Sequence, residues 1–215
     1  MLQSHPVRQE FMPTPARRRV FQPVAPGDET IRLKPDQIIY SEGQHVLAIY
    51  QVEAGAVRIY RLMSDGHRHI LSFCIKGEWF GLEQGHLRAD FAEAVCETQI
   101  RPFATNRGTA VSVDLLNIAL ANLAKAQSRQ LVMIEQSALK RVATFIQEIA
   151  ERHPGEPEFD ILMCRSDVAD YLGLTIETVA RSFTKLRERH IIRLNGKLQR
   201  SIQLIDQDAL VALTR

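Results

Sequence analysis

Residues 164–186 leave this chain few folds to choose from, because they spell two amphipathic helices around a tight turn that suits glycine. Val168, Ala169, Tyr171 and Leu172 give the first helix an apolar face, and Gly173 stops it where a positive φ is needed. Thr175 is a good N-cap for the second helix. Val179, Phe183 and Leu186 then recur at steps of four and three, which is one stripe of a 3.6-residue period. A small residue at 169 for close crossing, glycine at 173 and a branched apolar residue at 179 make the helix-turn-helix pattern.

The outward side of the second helix carries the chemistry. Glu177 and Arg181 stand four apart near its N-terminal end, the part of a recognition helix that meets base edges in the major groove. Arginine can take guanine O6 and N7 together, and a carboxylate can accept from cytosine N4. The competing account is an i,i+4 ion pair on the solvated side of an ordinary helical hairpin. Two features weigh against it. Residues 165–200 hold eight Lys/Arg against four Asp/Glu, while the whole chain carries only +2. A wing-like hairpin also follows: Ile191, Ile192, Arg193 and Leu194, then Asn195-Gly196 as an expected type I′ turn, then Ile202, Gln203, Leu204 and Ile205. Arg165, Ser166, Thr175 and Thr178 lie at helix N-termini, where amides and side chains favour anions, so phosphate contacts are expected there. Asn195, Gly196 and Lys197 at the wing tip are expected to touch the DNA backbone as well.

Residues 167–181 closely resemble the helix-turn-helix of the Crp/Fnr superfamily of bacterial transcription regulators, and most of all its FixK-type branch. The resemblance extends more loosely over most of the chain. It implies a homodimer bound to double-stranded DNA at a palindromic site of the TTG…CAA kind, and contact with RNA polymerase. It also adds Ile176 and Ala180 to Glu177 and Arg181 as base-reading positions. Ile176 stands where the cyclic AMP receptor protein has arginine, and Ala180 where Fnr-type helices have serine, so relaxed preference is expected at one base.

A chain of 215 residues can hold one large domain or two small ones, each with its own core. The near-neutral charge argues against wholesale polyanion binding, so a nucleic-acid surface must be local. No apolar run approaches membrane-spanning length and residues 1–29 lack the apolar core of a signal peptide, which leads to the expectation of a cytoplasmic protein without a membrane partner. Three cysteines, odd in number and widely spaced, fit a reducing compartment. Residues 1–29 contain Pro6, Pro13, Pro15, Pro23 and Pro26 and are expected to form a mobile tail. Fnr-type oxygen sensors keep an iron–sulfur cysteine cluster in this region. None is present here, so no such cofactor is expected.

Between residues 30 and 109 short strands and turns alternate: Ile38-Ile39-Tyr40, Ile49-Tyr50-Gln51-Val52, the period-two run from Val57 to Leu62, and Ile70-Leu71-Ser72-Phe73. That pattern predicts a barrel or jelly roll, and it resembles the superfamily's cyclic-nucleotide-binding-like barrel. In that resemblance a Gly-Glu pair and a later Arg-Ser hold ribose and cyclic phosphate. Gly77-Glu78 is present, but the second half falls near Asp90-Phe91-Ala92, where an acid would repel phosphate. An empty effector site is the preferred expectation; a cyclic-nucleotide-responsive regulator with a divergent pocket is the alternative. His67 and His69 leave a third: a cupin-like metal enzyme with an appended DNA domain. No acid follows them within residues 70–76, and no catalytic set stands out elsewhere. The expectation is no enzyme, no metal and no cofactor.

Residues 110–137 turn helical, with Leu116, Leu120, Leu123, Ala124, Gln127, Leu131, Ile134 and Ala138 at steps mainly of three and four. A stripe this long suits pairing of two chains, with Leu116, Leu120, Leu123, Gln127, Leu131 and Ile134 at the dimer interface, although one edge must pack on the barrel. The predicted fold class is thus α+β: an N-terminal jelly-roll barrel (30–109), a long dimerisation helix (110–137) and a C-terminal winged helix-turn-helix domain (138–215). Cys164 is expected to be a redox switch. It occupies the N-cap of the first DNA-reading helix beside Arg165, surroundings in which thiols become reactive, and an oxidised group there would meet a DNA phosphate. Some FixK-type regulators carry an oxidation-sensitive cysteine at this place, which the resemblance extends to Cys164. Cys74 and Cys96 look like ordinary strand residues.

Overall fold

The computed structural model describes residues 29–104, 113–135, 137–196 and 199–214. Residues 1–28 of the proline-rich tail and Lys197 at the wing tip lie outside the described residues.

Eight strands come first: β1 (Ile31–Leu33), β2 (Ile38–Tyr40), β3 (Ala48–Ala54), β4 (Ala56–Leu62), β5 (Arg68–Ile75), β6 (Trp79–Phe80), β7 (Phe91–Ala94) and β8 (Thr98–Ala104). They form two antiparallel four-stranded sheets, ordered β1-β8-β3-β6 and β2-β7-β4-β5. The two sheets make the two-layer sandwich of the expected jelly roll. Leu33, Ile39, Tyr40, Val52, Val57, Phe80 and Ile100 fill its core, and the alternation of Thr98, Ile100 and Pro102 inward along β8 is the period of a half-buried strand. The β3–β4 turn closes through Gly55 at φ +79°, where an added Cβ would sit 2.5 Å from the Glu97 carbonyl, so only glycine fits.

Helix α1 (Val113–Ile134) leaves the sandwich; its 22 residues span about 33 Å. Leu115, Ile118, Asn122 and Arg129 are partly covered by the chain itself. The helix stops at Ile134, so Ala138 belongs to α2 (Ala138–Glu151) and not to the α1 stripe. Ser137 starts α2 as an N-cap, its hydroxyl accepting from the Lys140 amide at 3.4 Å.

The remainder is a winged helix: β9 (Glu158–Asp160), α3 (Arg165–Leu172), α4 (Ile176–Glu188), β10 (Ile192–Asn195), β11 (Ser201–Leu204) and α5 (Gln207–Thr214), with the sheet ordered β10-β11-β9. The wing departs from expectation. Asn195 faces Ser201, so residues 196–200 make a five-residue connection instead of a two-residue Asn-Gly turn. Burial sets the register: Ile192 and Ile202 are both inside, and the Asn195 amide and Ser201 hydroxyl converge on the Glu158 carboxylate at 2.9 and 2.6 Å.

One apolar core runs through both halves. Tyr60, Ile70 and Phe73 of the sandwich join Val142, Phe145, Ile146, Val168, Tyr171, Val179 and Phe183 in a single cluster, with the Phe73 and Tyr171 rings 5.2 Å apart.

Candidate nucleic-acid interface

Helix α3 ends at Gly173, whose φ of 62° and ψ of 40° place it in the left-handed region, and its amide returns to the Ala169 carbonyl. A Cβ here would also lie 2.9 Å from the Met133 methyl of α1. The chain re-enters helix at once. Thr175 caps α4 by accepting from the Thr178 amide at 3.2 Å, and Val179, Ser182, Phe183 and Leu186 are buried. The opposite side is bare: Ile176, Glu177, Ala180 and Arg181 are all exposed, with Ile176 half accessible. All four expected base-reading residues share that side. The Glu177 carboxyl is held below the ordinary carboxylate range by its own amide and the Thr175 hydroxyl, with Arg181 a smaller cause. It is therefore anchored at the helix N-terminus, with Arg181 only a weaker partner.

The cations around this face have lost half of their acidic neighbours. Of the four acids in residues 165–200, Asp167 is buried and Asp170 half-buried, and both pair with arginines of the sandwich. Glu177 and Glu188 remain among eight basic residues. Arg165 lies with its guanidinium 3.6 Å over the Phe183 ring and donates to the Gln199 carbonyl at 3.1 Å. Burial, and then nearby Arg200, hold its pKa below the usual arginine value. No carboxylate pairs with Arg165 among the described residues, so an incoming phosphate would relieve it. Ser166, Thr178 and Asn195 are partly exposed, and Thr175 and Gly196 are exposed. The Asn195 side chain is turned onto Glu158, away from the wing tip. Lys185, exposed one turn beyond Arg181, extends the same face; no cap, turn or periodic apolar signal marks it in the sequence.

Residues 140–213 match the Crp-like helix-turn-helix domain, and residues 30–103 match the cyclic nucleotide-binding domain. Nitrogen fixation regulation protein FixK of Rhizobium meliloti (strain 1021) is 44% identical over 180 residues, 84% of each chain. The chain belongs to the Crp/Fnr family. Within it the protein falls in the FixK-type branch. FixK2 from Bradyrhizobium japonicum superposes with a TM-score of 0.81 at 33% identity, covering 87% of this chain and 97% of that one. Transcriptional activatory protein AadR of Rhodopseudomonas palustris is 30% identical over 190 residues, 83% of this chain and 78% of its own. The protein is accordingly a Crp/Fnr-type transcription regulator with a helix-turn-helix DNA-binding domain, and not an enzyme. Among the described residues no helix is long and apolar enough to cross a membrane.

Between the sandwich and α1 lies a cleft of about 360 Å³, lined by Tyr40, Phe73, Trp79, Glu83, Asp90, Lys125, Arg129 and Arg152 among others. Glu78 points to the helices, pairing with Lys125 at 2.6 Å. A cation does stand close to Asp90 in sequence. Arg88, almost wholly buried, donates to the carbonyls of Gly81 and Ala48 and lies 4.0 Å over the Tyr40 ring. Both of its terminal nitrogens are thus engaged inside the protein. Asp90 pairs with Arg61 at 2.8 Å. His69 sits 3.4 Å from the Arg129 guanidinium, and burial followed by that charge lowers its pKa. His67 precedes β5, in the turn. His69 is thus engaged with Arg129, and the described residues contain no group of three or more His, Cys, Asp or Glu placed to hold a metal ion.

On α1, Leu116, Leu120 and Leu123 are about half exposed and Leu131 and Ile134 about three-quarters, with Gln127 exposed between them. Cys164 caps α3 without a side-chain bond to the helix amides; its Sγ lies 2.9 Å from the Ser166 hydroxyl and is partly exposed.

Proposed function

We propose that this protein is a homodimeric, sequence-specific regulator, acting mainly as an activator, that reads a TTG…CAA-type inverted repeat without cyclic AMP or an iron–sulfur cluster. The observation that carries it is the exposed, acid-depleted face of α4 with Glu177 and Arg181 side by side. The leucine stripe of α1 supports pairing, since residues this apolar and this exposed need cover, and a two-fold partner supplies it while setting two recognition helices on one duplex. Activation is supported by the AadR relative, a transcriptional activatory protein; contact with RNA polymerase is part of this proposal. Effector independence is supported by the commitment of Arg88 and Glu78 to internal contacts. A protein of this kind works in the cytoplasm.

The test is selection of bound sequences from random duplexes by the purified protein, with and without cyclic AMP. Enrichment of the inverted repeat in both arms is expected. Enrichment only with the nucleotide would favour a responsive pocket, and no enrichment would sink the assignment. Lys197→Ala is expected to weaken all sequences alike and lower the salt slope by about one unit.

Redox control at Cys164 belongs to the same proposal. Peroxide, itself reduced to water, would convert the partly exposed thiol to a sulfenic and then a sulfinic group, placing charge where a phosphate must approach. Operator binding by wild type should fall after peroxide while Cys164→Ser is spared. Equal loss in both, or in neither, would remove Cys164 as the switch.

A further inference from the structure

Three charged side chains are buried where α3 meets the sandwich, and a fourth is partly covered beside them. Arg58 on β4 and Glu93 on β7 are 6% and 0% exposed, Asp167 on α3 is 2% exposed, and Arg68 at the start of β5 is 24% exposed. Arg58 donates to Glu93 at 3.2 Å through Nε and to both Asp167 oxygens at 3.0 and 3.3 Å through one terminal nitrogen. Arg68 donates to Asp167 at 2.6 Å and to Asp170 at 3.2 Å. Two cations thus meet two carboxylates inside, while the more exposed Asp36 and Asp170 take remaining donors at the rim.

We propose that Arg58, Arg68 and Asp167 are positioning residues that fix how far apart, and at what rotation, the two half-sites of the operator must lie. The inference rests on the dimer reading above. Buried ion pairs contribute little net stability compared with apolar packing of the same volume, but they define one geometry. Apolar surfaces tolerate sliding; a guanidinium fork shared between carboxylates does not. The network also lies in the right place. Asp167 belongs to α3, which carries α4 across the Gly173 turn. Arg68 begins β5, and the Ile70 and Leu71 carbonyls of β5 accept from Arg129 on α1. Arg129 also donates to the Tyr171 carbonyl at 3.3 Å and stacks over its ring at 4.6 Å. Recognition helix, α3, sandwich and dimer helix are thereby joined by fixed contacts, in parallel with the covalent link through residues 135–137. Adding one base pair between half-sites moves one of them by about 3.4 Å and turns it by about 35°. A dimer tied through this network on both sides cannot follow that change; one tied only through residues 135–137 can.

The experiment keeps the selected half-sites constant and varies the spacer by one and two base pairs either way, comparing wild type with Arg68→Gln and Asp167→Asn. Arg68→Gln leaves Arg58, Glu93 and Asp167 in place, so it tests the idea even where Asp167→Asn fails to fold. Wild type should lose about tenfold in affinity per displaced base pair, the scale of one mismatch. Arg68→Gln should flatten that profile to within about threefold while preserving dimer mass and base preference in the half-site. A variant that keeps the wild-type spacing profile, or one that binds the natural spacing more tightly than wild type, overturns the network as a positioning device. A wild type that shows no spacing preference overturns the dimer reading as well, and that result is visible without any variant.

Discussion

The two helices of the DNA-reading motif each carry a charged pair about one turn apart, and the pairs do opposite things. Glu177 and Arg181 on α4 point to solvent. Asp167 and Asp170 on α3 point back into the protein, where Arg58 and Arg68 of the sandwich hold them. Locally the patterns are alike: polar residues at helical spacing beside an apolar stripe. What separates them is a partner 109 residues away for Asp167, whereas Arg181 interacts only with Glu177 of its own helix among the described residues. A charge on a helix therefore acquires its role from the surface the helix is laid against, and substitutions on the two sides should report on different quantities.

The largest difference is expected at Asp167. Asp167→Ala leaves two arginines facing a single buried carboxylate, and breaking a buried pair costs about 3–5 kcal/mol of folding stability. Urea denaturation measures it, and a loss below about 1 kcal/mol would mean water reaches the cluster and the contrast between the faces is weak. On the outer face, Arg181→Ala should cost about 1–3 kcal/mol of binding per half-site and flatten base preference while leaving the urea midpoint alone. Titrations at one fixed salt concentration decide this; a shifted midpoint with unchanged DNA affinity would reverse the assignment of the two faces. Between the helices, Gly173→Ala is expected to destabilise by about 1–2 kcal/mol, since the position is left-handed and the Met133 methyl must also move. Replacement by asparagine, which tolerates that conformation better, should recover part of the loss. The smallest effects belong to the rims. Asp170→Asn, at a half-exposed pair, should cost at most about 1 kcal/mol of stability. Lys185→Ala should leave stability unchanged and reduce the salt slope of binding by about one; a change in base preference instead would move Lys185 into the reading set.

The outer face was legible in the sequence because its signals are local. Gly173, Thr175 and the Val179, Phe183, Leu186 stripe fix α4 within a dozen residues, and the exposed side follows by subtraction. The exposed leucines of α1 were legible for the same reason, except that Ala138 continued the period beyond a helix end that only Ser137 marks. The inner face was not legible. Nothing near Asp167 indicates that Arg58 and Arg68 will arrive from 109 and 99 residues away, because strand order and domain docking decide that. The role of Arg88 was not legible for a related reason: the carbonyls of Gly81 and Ala48 that its terminal nitrogens bind lie 7 and 40 residues away, brought there by the fold. The wing was right in its strands and wrong in its turn. Asn195-Gly196 is a strong two-residue hairpin signal, yet burial of Ile192 and Ile202 and the shared Glu158 contact demanded a longer connection.

The apolar cluster that crosses from Phe73 and Ile70 to Tyr171 and Phe145 also bears on how the chain can be taken apart. Domains that share a core lose it together, so heating should give one cooperative calorimetric transition whose calorimetric and van't Hoff enthalpies agree. Cutting the chain near residue 137 to obtain the DNA-reading half alone would lay bare the side of Tyr171 that now meets Phe73, together with Asp167 stripped of its arginines. Such a fragment should aggregate or stay loosely packed, however complete its helix-turn-helix looks on paper.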